Sequence, residues 1–94
     1  MIDVKEAVSN SIAAAKEFYA GTDVRNIMLE EVELDEGEKV WLITLGFFLP
    51  ESRPATEIGQ LLAPLGGIKY EKKYKIFKVN AENGKVESMK IREI

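Results

Sequence analysis

The most constraining stretch of this 94-residue chain is Val40 to Leu49, which reads Val-Trp-Leu-Ile-Thr-Leu-Gly-Phe-Phe-Leu and is apolar at nearly every position. A run this short, rich in β-branched and aromatic side chains, reads as a central strand with little to offer water on either face. The chain is long enough for one domain, because a domain this small buries only about two-thirds of the surface its unfolded form exposes. One core must therefore be built around this strand, and something besides a single helix is needed to cover its second face.

The opening segment supplies the first cover. From Val4 to Ala20 the chain reads as a helix in which Val4, Ala7, Val8, Ile12, Ala15 and Tyr19 recur at three- and four-residue spacing, with Phe18 beside them. That spacing lines one apolar stripe along the helix. Asp3 and Glu6 have the capping-box arrangement, in which Asp3 accepts the amide of Glu6 while Glu6 reaches back, and Ile2 is placed to pack on Ala7 as a staple. Gly21 supplies the left-handed residue that ends the helix.

Two hairpins follow. Ile27 to Leu34 is a strand whose alternation changes phase: Ile27 and Leu29 share one face and Val32 and Leu34 the other, unless a bulge intervenes near Glu30 and Glu31. That bulge is expected. Asp35, Glu36, Gly37 and Glu38 form the turn into Val40 to Leu49, with Gly37 suited to positive φ. Lys69 to Asn80 alternates Tyr70, Tyr74 and Ile76 with charged residues, then admits Phe77 and Val79 from the other phase. Ala81-Glu82-Asn83-Gly84 has the composition of a type I turn with Gly84 left-handed, and Lys85 to Ile94 returns as the last strand. Between the hairpins, Pro50 to Gly67 breaks the strand pattern with prolines and glycines. Thr56, Glu57, Ile58, Leu61 and Leu62 there suit a short helix capped by Thr56 and stopped by Pro64. The expected fold is α+β: an N-terminal helix packed on a four-stranded antiparallel meander sheet, with a short helix in the insertion between strands 2 and 3.

The second hairpin, Lys75-Ile-Phe-Lys-Val-Asn-Ala-Glu-Asn-Gly-Lys-Val-Glu-Ser-Met, together with the amphipathic helix and the two-hairpin order, resembles the PepSY-type domain and, more loosely, the cystatin-like helix-on-sheet architecture. The similarity lies in Phe77, Val79, Ala81, Asn83, Gly84 and Val86, where PepSY domains carry an apolar-x-apolar-Asp-Ala-x-Thr-Gly-x-Val run. This chain has Asn80 where that run has Asp, and Asn83 where it has Thr. The helix with Ala7, Ala13, Ala14 and Ala15 is similar in composition to the first helix of such domains, whereas Pro50 to Gly67 has no counterpart. The resemblance implies a non-enzymatic module that binds or restrains a partner protein, often a peptidase, and it brings no catalytic residues with it.

Absent residue types narrow the chemistry. The chain contains no Cys and no His. Disulfide frameworks, thiolate nucleophiles, Ser-His relays and zinc sites of the usual nitrogen and sulfur ligands are thereby excluded. No glycine-rich phosphate loop or nucleotide fingerprint is present, and Tyr70, Tyr74, Lys73, Glu71, Ser52 and Thr56 have no positioned partner that would make an acid, base or nucleophile of them. No cofactor and no catalytic residue are expected. No stretch approaches the roughly 18 apolar residues of a membrane span, and Met1 leads into a charged segment instead of a signal peptide, so a cytoplasmic location is expected, though a trimmed leader gives the same pattern.

The net charge of -3 divides unevenly: residues 1–60 carry twelve carboxylates against five cations, and residues 61–94 eight cations against four carboxylates. Glu30, Glu31, Glu33, Asp35, Glu36 and Glu38 crowd one hairpin. Their spacing does not follow the Asp-x-Asp-x-Asp-Gly calcium loop, and they read as a solvated edge that resists aggregation. Lys69, Lys72, Lys73, Lys75 and Lys78 interleave with Tyr70, Tyr74 and Phe77, the mixture used by single-stranded nucleic-acid platforms. The negative total charge and the lack of Arg in that stripe argue instead for lysines that oppose the acidic strand across the sheet.

The expected function is a non-enzymatic protein-interaction or inhibitory module, with a small-ligand pocket between helix and sheet, compatible with weak enzymatic activity, as the alternative. A pocket of roughly 300 Å³ or more with convergent polar groups would favour the ligand, and a closed core the protein partner. The expected interface comprises Trp41, Phe47, Phe48, Ile58, Leu61, Leu62 and Leu65, the insertion either covering the open sheet face or docking a partner. A homodimer is also expected, because Val40 to Phe48 would leave apolar surface exposed on a sheet covered on one side.

Overall fold

A computed structural model of the chain describes residues 1–50 and 69–92. One helix, α1 (Val4–Phe18), precedes four strands: β1 (Arg25–Asp35), β2 (Val40–Pro50), β3 (Tyr70–Asn80) and β4 (Val86–Ile91). The strands form one sheet in chain order, each antiparallel to the next, and α1 packs on one face of it. This is the expected α+β meander. The short helix expected from Thr56 to Pro64 lies outside the described residues.

The helix begins as the sequence dictates. Asp3 takes the amide of Glu6 at 2.8 Å. Glu6 itself turns toward the second hairpin, its Oε2 3.2 Å from the point where a Cβ on Gly84 would stand. The helix stops at Phe18, two residues before the expected Ala20, and Gly21 follows at φ +86°. Its sheet-facing line is Ala7, Ser11 and Ala15, all fully buried and all small. Small residues at i, i+4 and i+8 let the helix settle onto the large core residues Ile43, Leu45, Phe47, Phe77 and Val79. Ser11 adds no unpaired polar atom, because its hydroxyl donates to the Ala7 carbonyl at 2.9 Å. The close seat narrows the buried stripe. Val4 stays 37 % exposed and Phe18 59 % exposed, at the margin of the face rather than in the core.

Strand register settles which side chains share a face. In β1 the pairing slips between Leu29 and Glu31, as expected, with Glu30 as the extra residue. Leu29, Val32 and Leu34 consequently stand opposite Leu45, Ile43 and Trp41 on the helix side. β2 and β3 pair without a slip from Val40↔Asn80 to Pro50↔Tyr70. The first turn departs from expectation: Lys39, and not Gly37, adopts the left-handed conformation, at φ +57°. Asp35 Oδ1 accepts the Glu38 amide at 3.0 Å, and the Lys39 carbonyl accepts the Ala81 amide at 2.9 Å, so the twist at Lys39 ties the two turns together. The second turn is as read, with Gly84 at φ +78°. Asn80 Oδ1 accepts the amides of Glu82 and Asn83 at 2.8 and 3.1 Å, which is how Asn serves at that position.

Candidate functional site

Of the expected interface residues, Trp41 and Phe47 fall on the helix side of β2 and Phe48 on the other. Phe47 is fully buried, with its ring edge-on to Tyr19 at 5.4 Å, and offers no surface to a partner. Trp41 is partly buried and donates its indole N–H to the Ile2 carbonyl at 3.2 Å. Phe48 is partly buried under the Lys72 ammonium, 5.9 Å from its ring centre. Ile58, Leu61, Leu62 and Leu65 lie outside the described residues.

The face of β2 turned away from the helix carries Leu42, Thr44, Gly46 and Phe48, and long charged side chains from the flanking strands reach across it. Lys72 on β3 meets Glu30 on β1 at 3.1 Å above Gly46. A Cβ at Gly46 would lie 2.7 Å from Glu30 Oε1, so glycine is the residue that lets this pair close over β2. Arg92, beyond the end of β4, binds both Glu31 on β1 and, at 3.2 Å, the hydroxyl of buried Thr44. Lys78 meets Glu38 at 2.9 Å. Of the lysine stripe, Lys72 and Lys78 thus oppose the acidic hairpin, whereas Lys73 pairs with Glu71 on its own strand at 3.2 Å. Hydrogen bonding to Glu30 raises the Lys72 pKa, and bonding to Glu38 raises that of Lys78.

Interleaved in sequence, the lysines and rings of β3 divide between two surfaces. Tyr70, Lys72, Tyr74, Ile76 and Lys78 alternate onto the outer face, whereas Lys73, Lys75 and Phe77 fall on the helix side. Burial lowers the Lys75 pKa, with Lys73 as a further cause, and burial raises that of Tyr19 against the pull of Lys73. At the far end of the outer face, Asp23 accepts from Arg25 at 3.0 Å and from the Tyr70 hydroxyl at 2.6 Å, and the Arg25 guanidinium lies 4.5 Å from the Tyr70 ring centre. Those two hydrogen bonds hold the Asp23 carboxyl below its usual range.

The two flanks of α1 differ. Toward the β3–β4 turn the helix is pinned, Asn10 donating its side-chain amide to the Gly84 carbonyl at 2.8 Å. Toward β1 an open groove of about 410 Å³ runs between helix and sheet, lined by Val4, Lys5, Val8, Ser9, Ile12 and Leu29. Leu29 is 47 % exposed there. Lys5 and Ser9 are its polar members, both exposed on the helix. Spacing alone puts Val4, Val8 and Ile12 on the core stripe. Their position beside the line Ala7, Ser11, Ala15 is the sequence signal for the groove, because a helix seated on small residues leaves its larger neighbours at the rim. Among the described residues, β1 has β2 on one side and no strand on the other.

Among the described residues, no buried side-chain polar atom lacks a hydrogen-bond partner, and no three Asp or Glu side chains are grouped to hold a metal ion. No described helix is long and apolar enough to cross a membrane. No family model, no curated protein and no solved structure matches the chain.

Proposed function

We propose that this chain is a non-enzymatic protein-interaction or inhibitory module of the PepSY or cystatin-like kind, which docks a partner chain along the flank between α1 and β1. The observation that carries this reading is the apolar groove of Val4, Val8, Ile12 and Leu29 beside the edge of β1 that no described strand pairs with. Exposed apolar surface next to free backbone groups is what a partner segment uses. The groove is roomy enough for a small ligand. Its polar members do not converge, however, and a ligand site needs a few convergent polar groups to orient its occupant.

The double variant Val4→Lys, Leu29→Lys tests the reading, since both side chains are partly exposed at the rim of the groove and a lysine at either position can reach solvent. Proteins retained from extracts of the source cells by the parent chain and lost by the variant, at an unchanged melting temperature, support it. The same proteins retained by both would remove the flank as the docking surface. A homodimer that the variant dissolves would make a second copy the occupant.

A further inference from the structure

Resting on that reading, we infer that the flank takes an extended segment of a partner protein in which Lys or Arg alternates with apolar residues, added to the sheet as a fifth strand beside Glu31–Asp35. Three observations converge on this occupant. First, β1 is regular over that stretch, pairing from Glu31↔Thr44 to Asp35↔Val40 without a slip. Its outer edge therefore presents evenly alternating donors and acceptors over about 17 Å, at roughly 3.4 Å per residue. The two irregularities of β1 lie before Glu31 and confine strand addition to this end.

Second, the helix enters the sheet here. Ile2 is bonded to Trp41, and Trp41 faces Leu34; the β1 wall of the groove is Leu29, just before the slip at Glu30. A strand laid beside Glu31–Asp35 would point alternate side chains toward Val4 and Val8 on the helix side. Its remaining side chains would stand beside Glu31, Glu33 and Asp35 on the outer side, at the 4.5–5.5 Å typical of neighbouring strands.

Third, the charge selects among occupants. β1 carries Glu30, Glu31, Glu33 and Asp35 against Arg25 alone; Glu30 and Glu31 already meet Lys72 and Arg92, so Glu33 and Asp35 are the carboxylates left to face an added strand. A second copy pairing β1 with β1 about a twofold axis would set carboxylate against carboxylate, which destabilises such a pair. A basic strand meets the same row favourably, and alternation of cation with apolar residue matches the two faces at once.

The experiment uses the full chain, labelled with nitrogen-15, and three acetylated hexapeptide probes: alternating Lys and Val, alternating Glu and Val, and the Lys-Val peptide with every backbone amide methylated, since alternate amides face opposite edges of a strand. The Lys-Val peptide is expected to bind at least about tenfold tighter than either of the others, because charge and backbone pairing each contribute more than about 1.4 kcal/mol. Its affinity should fall several-fold as salt rises from tens to hundreds of millimolar. Amide shifts should gather at Glu31–Asp35 and along Val4–Ile12. Equal binding of the methylated peptide would overturn strand addition, and shifts centred on Lys72 or on β4 would overturn the location. Absence of binding by all three probes, while Val4→Lys, Leu29→Lys still sheds its captured proteins, would leave the docking flank standing and refute the basic extended occupant. Self-association of the free chain through β1, shown by dilution-dependent shifts there, would replace the peptide with a second copy.

Discussion

The two flanks of α1 show how differently one helix can meet one sheet. On the side of the β3–β4 turn, Asn10 bonds the Gly84 carbonyl and Glu6 lies against the same glycine, so the junction is polar, specific and closed. On the side of β1, Val4, Val8, Ile12 and Leu29 leave an apolar channel open to water. The seat of the helix comes from its small central line and the large residues beneath it, with the pinned flank fixing its position. What the open flank exposes is surplus to that seat, and it lies beside a strand edge that no described strand covers, which is the surface the proposed docking uses.

Ranked by expected effect, substitutions test that asymmetry. Phe77→Ala removes a fully buried ring beneath the helix and should cost about 3–5 kcal/mol in urea unfolding, loosening both flanks together. Gly84→Ala forces a Cβ to 2.9 Å from Asn10 Nδ2 at a φ of +78°, and should cost about 1–3 kcal/mol. Asn10→Ala deletes the pin alone and should cost about 0.5–1.5 kcal/mol. Val4→Lys, Leu29→Lys on the open flank should stay within about 0.5 kcal/mol of the parent chain. If that double variant is as damaging as Gly84→Ala, the open flank is structural and the contrast collapses.

The smallest effect is a pH dependence beneath the C-terminal half of the helix. Burial holds Lys75 below its usual pKa in the folded chain, so the fold favours its neutral form. The associated penalty is full at neutral pH and fades as pH rises through that lowered value toward 10.5. Lys72 and Lys78 are shifted up, so their contributions persist below 10.5 and are lost only as pH climbs through their higher native values. Lys75→Met should therefore gain stability at pH 7 and lose the mild alkaline rise that precedes the fall. An unchanged unfolding curve from pH 7 to 10 would assign Lys75 no such role.

Much of this was legible because it is local. The Asp3 cap, the slip at Glu30 and the left-handed Gly84 each follow from residue chemistry within a few positions of the feature. The unbroken apolar run of Val40 to Leu49 concealed more. Its outer face looked bare in sequence, and the side chains that cover it come from residues far away in the chain: Glu31 and Arg92 are 61 positions apart. Periodicity reports that a face is apolar and is silent on charged stems arriving from other strands. The same limit hid the groove. Val4, Val8 and Ile12 keep helical spacing with Ala7 and Ala15, and only the seating on Ala7, Ser11 and Ala15 separates rim from core. Gly37 was the natural choice for a left-handed turn residue, but a tertiary bond from Ala81 to the Lys39 carbonyl placed the twist at Lys39.

The proposed docking role of the open flank is tested most directly by photo-crosslinking in the source cells, with a photoreactive residue placed at Leu29 on the open side of α1 or at Glu82 on the pinned side. Both positions are exposed, so access to a partner is the variable that separates them. A discrete crosslinked protein at position 29, absent at position 82, is the result this account predicts. Equal crosslinking at both positions, or crosslinking at position 82 alone, would contradict it.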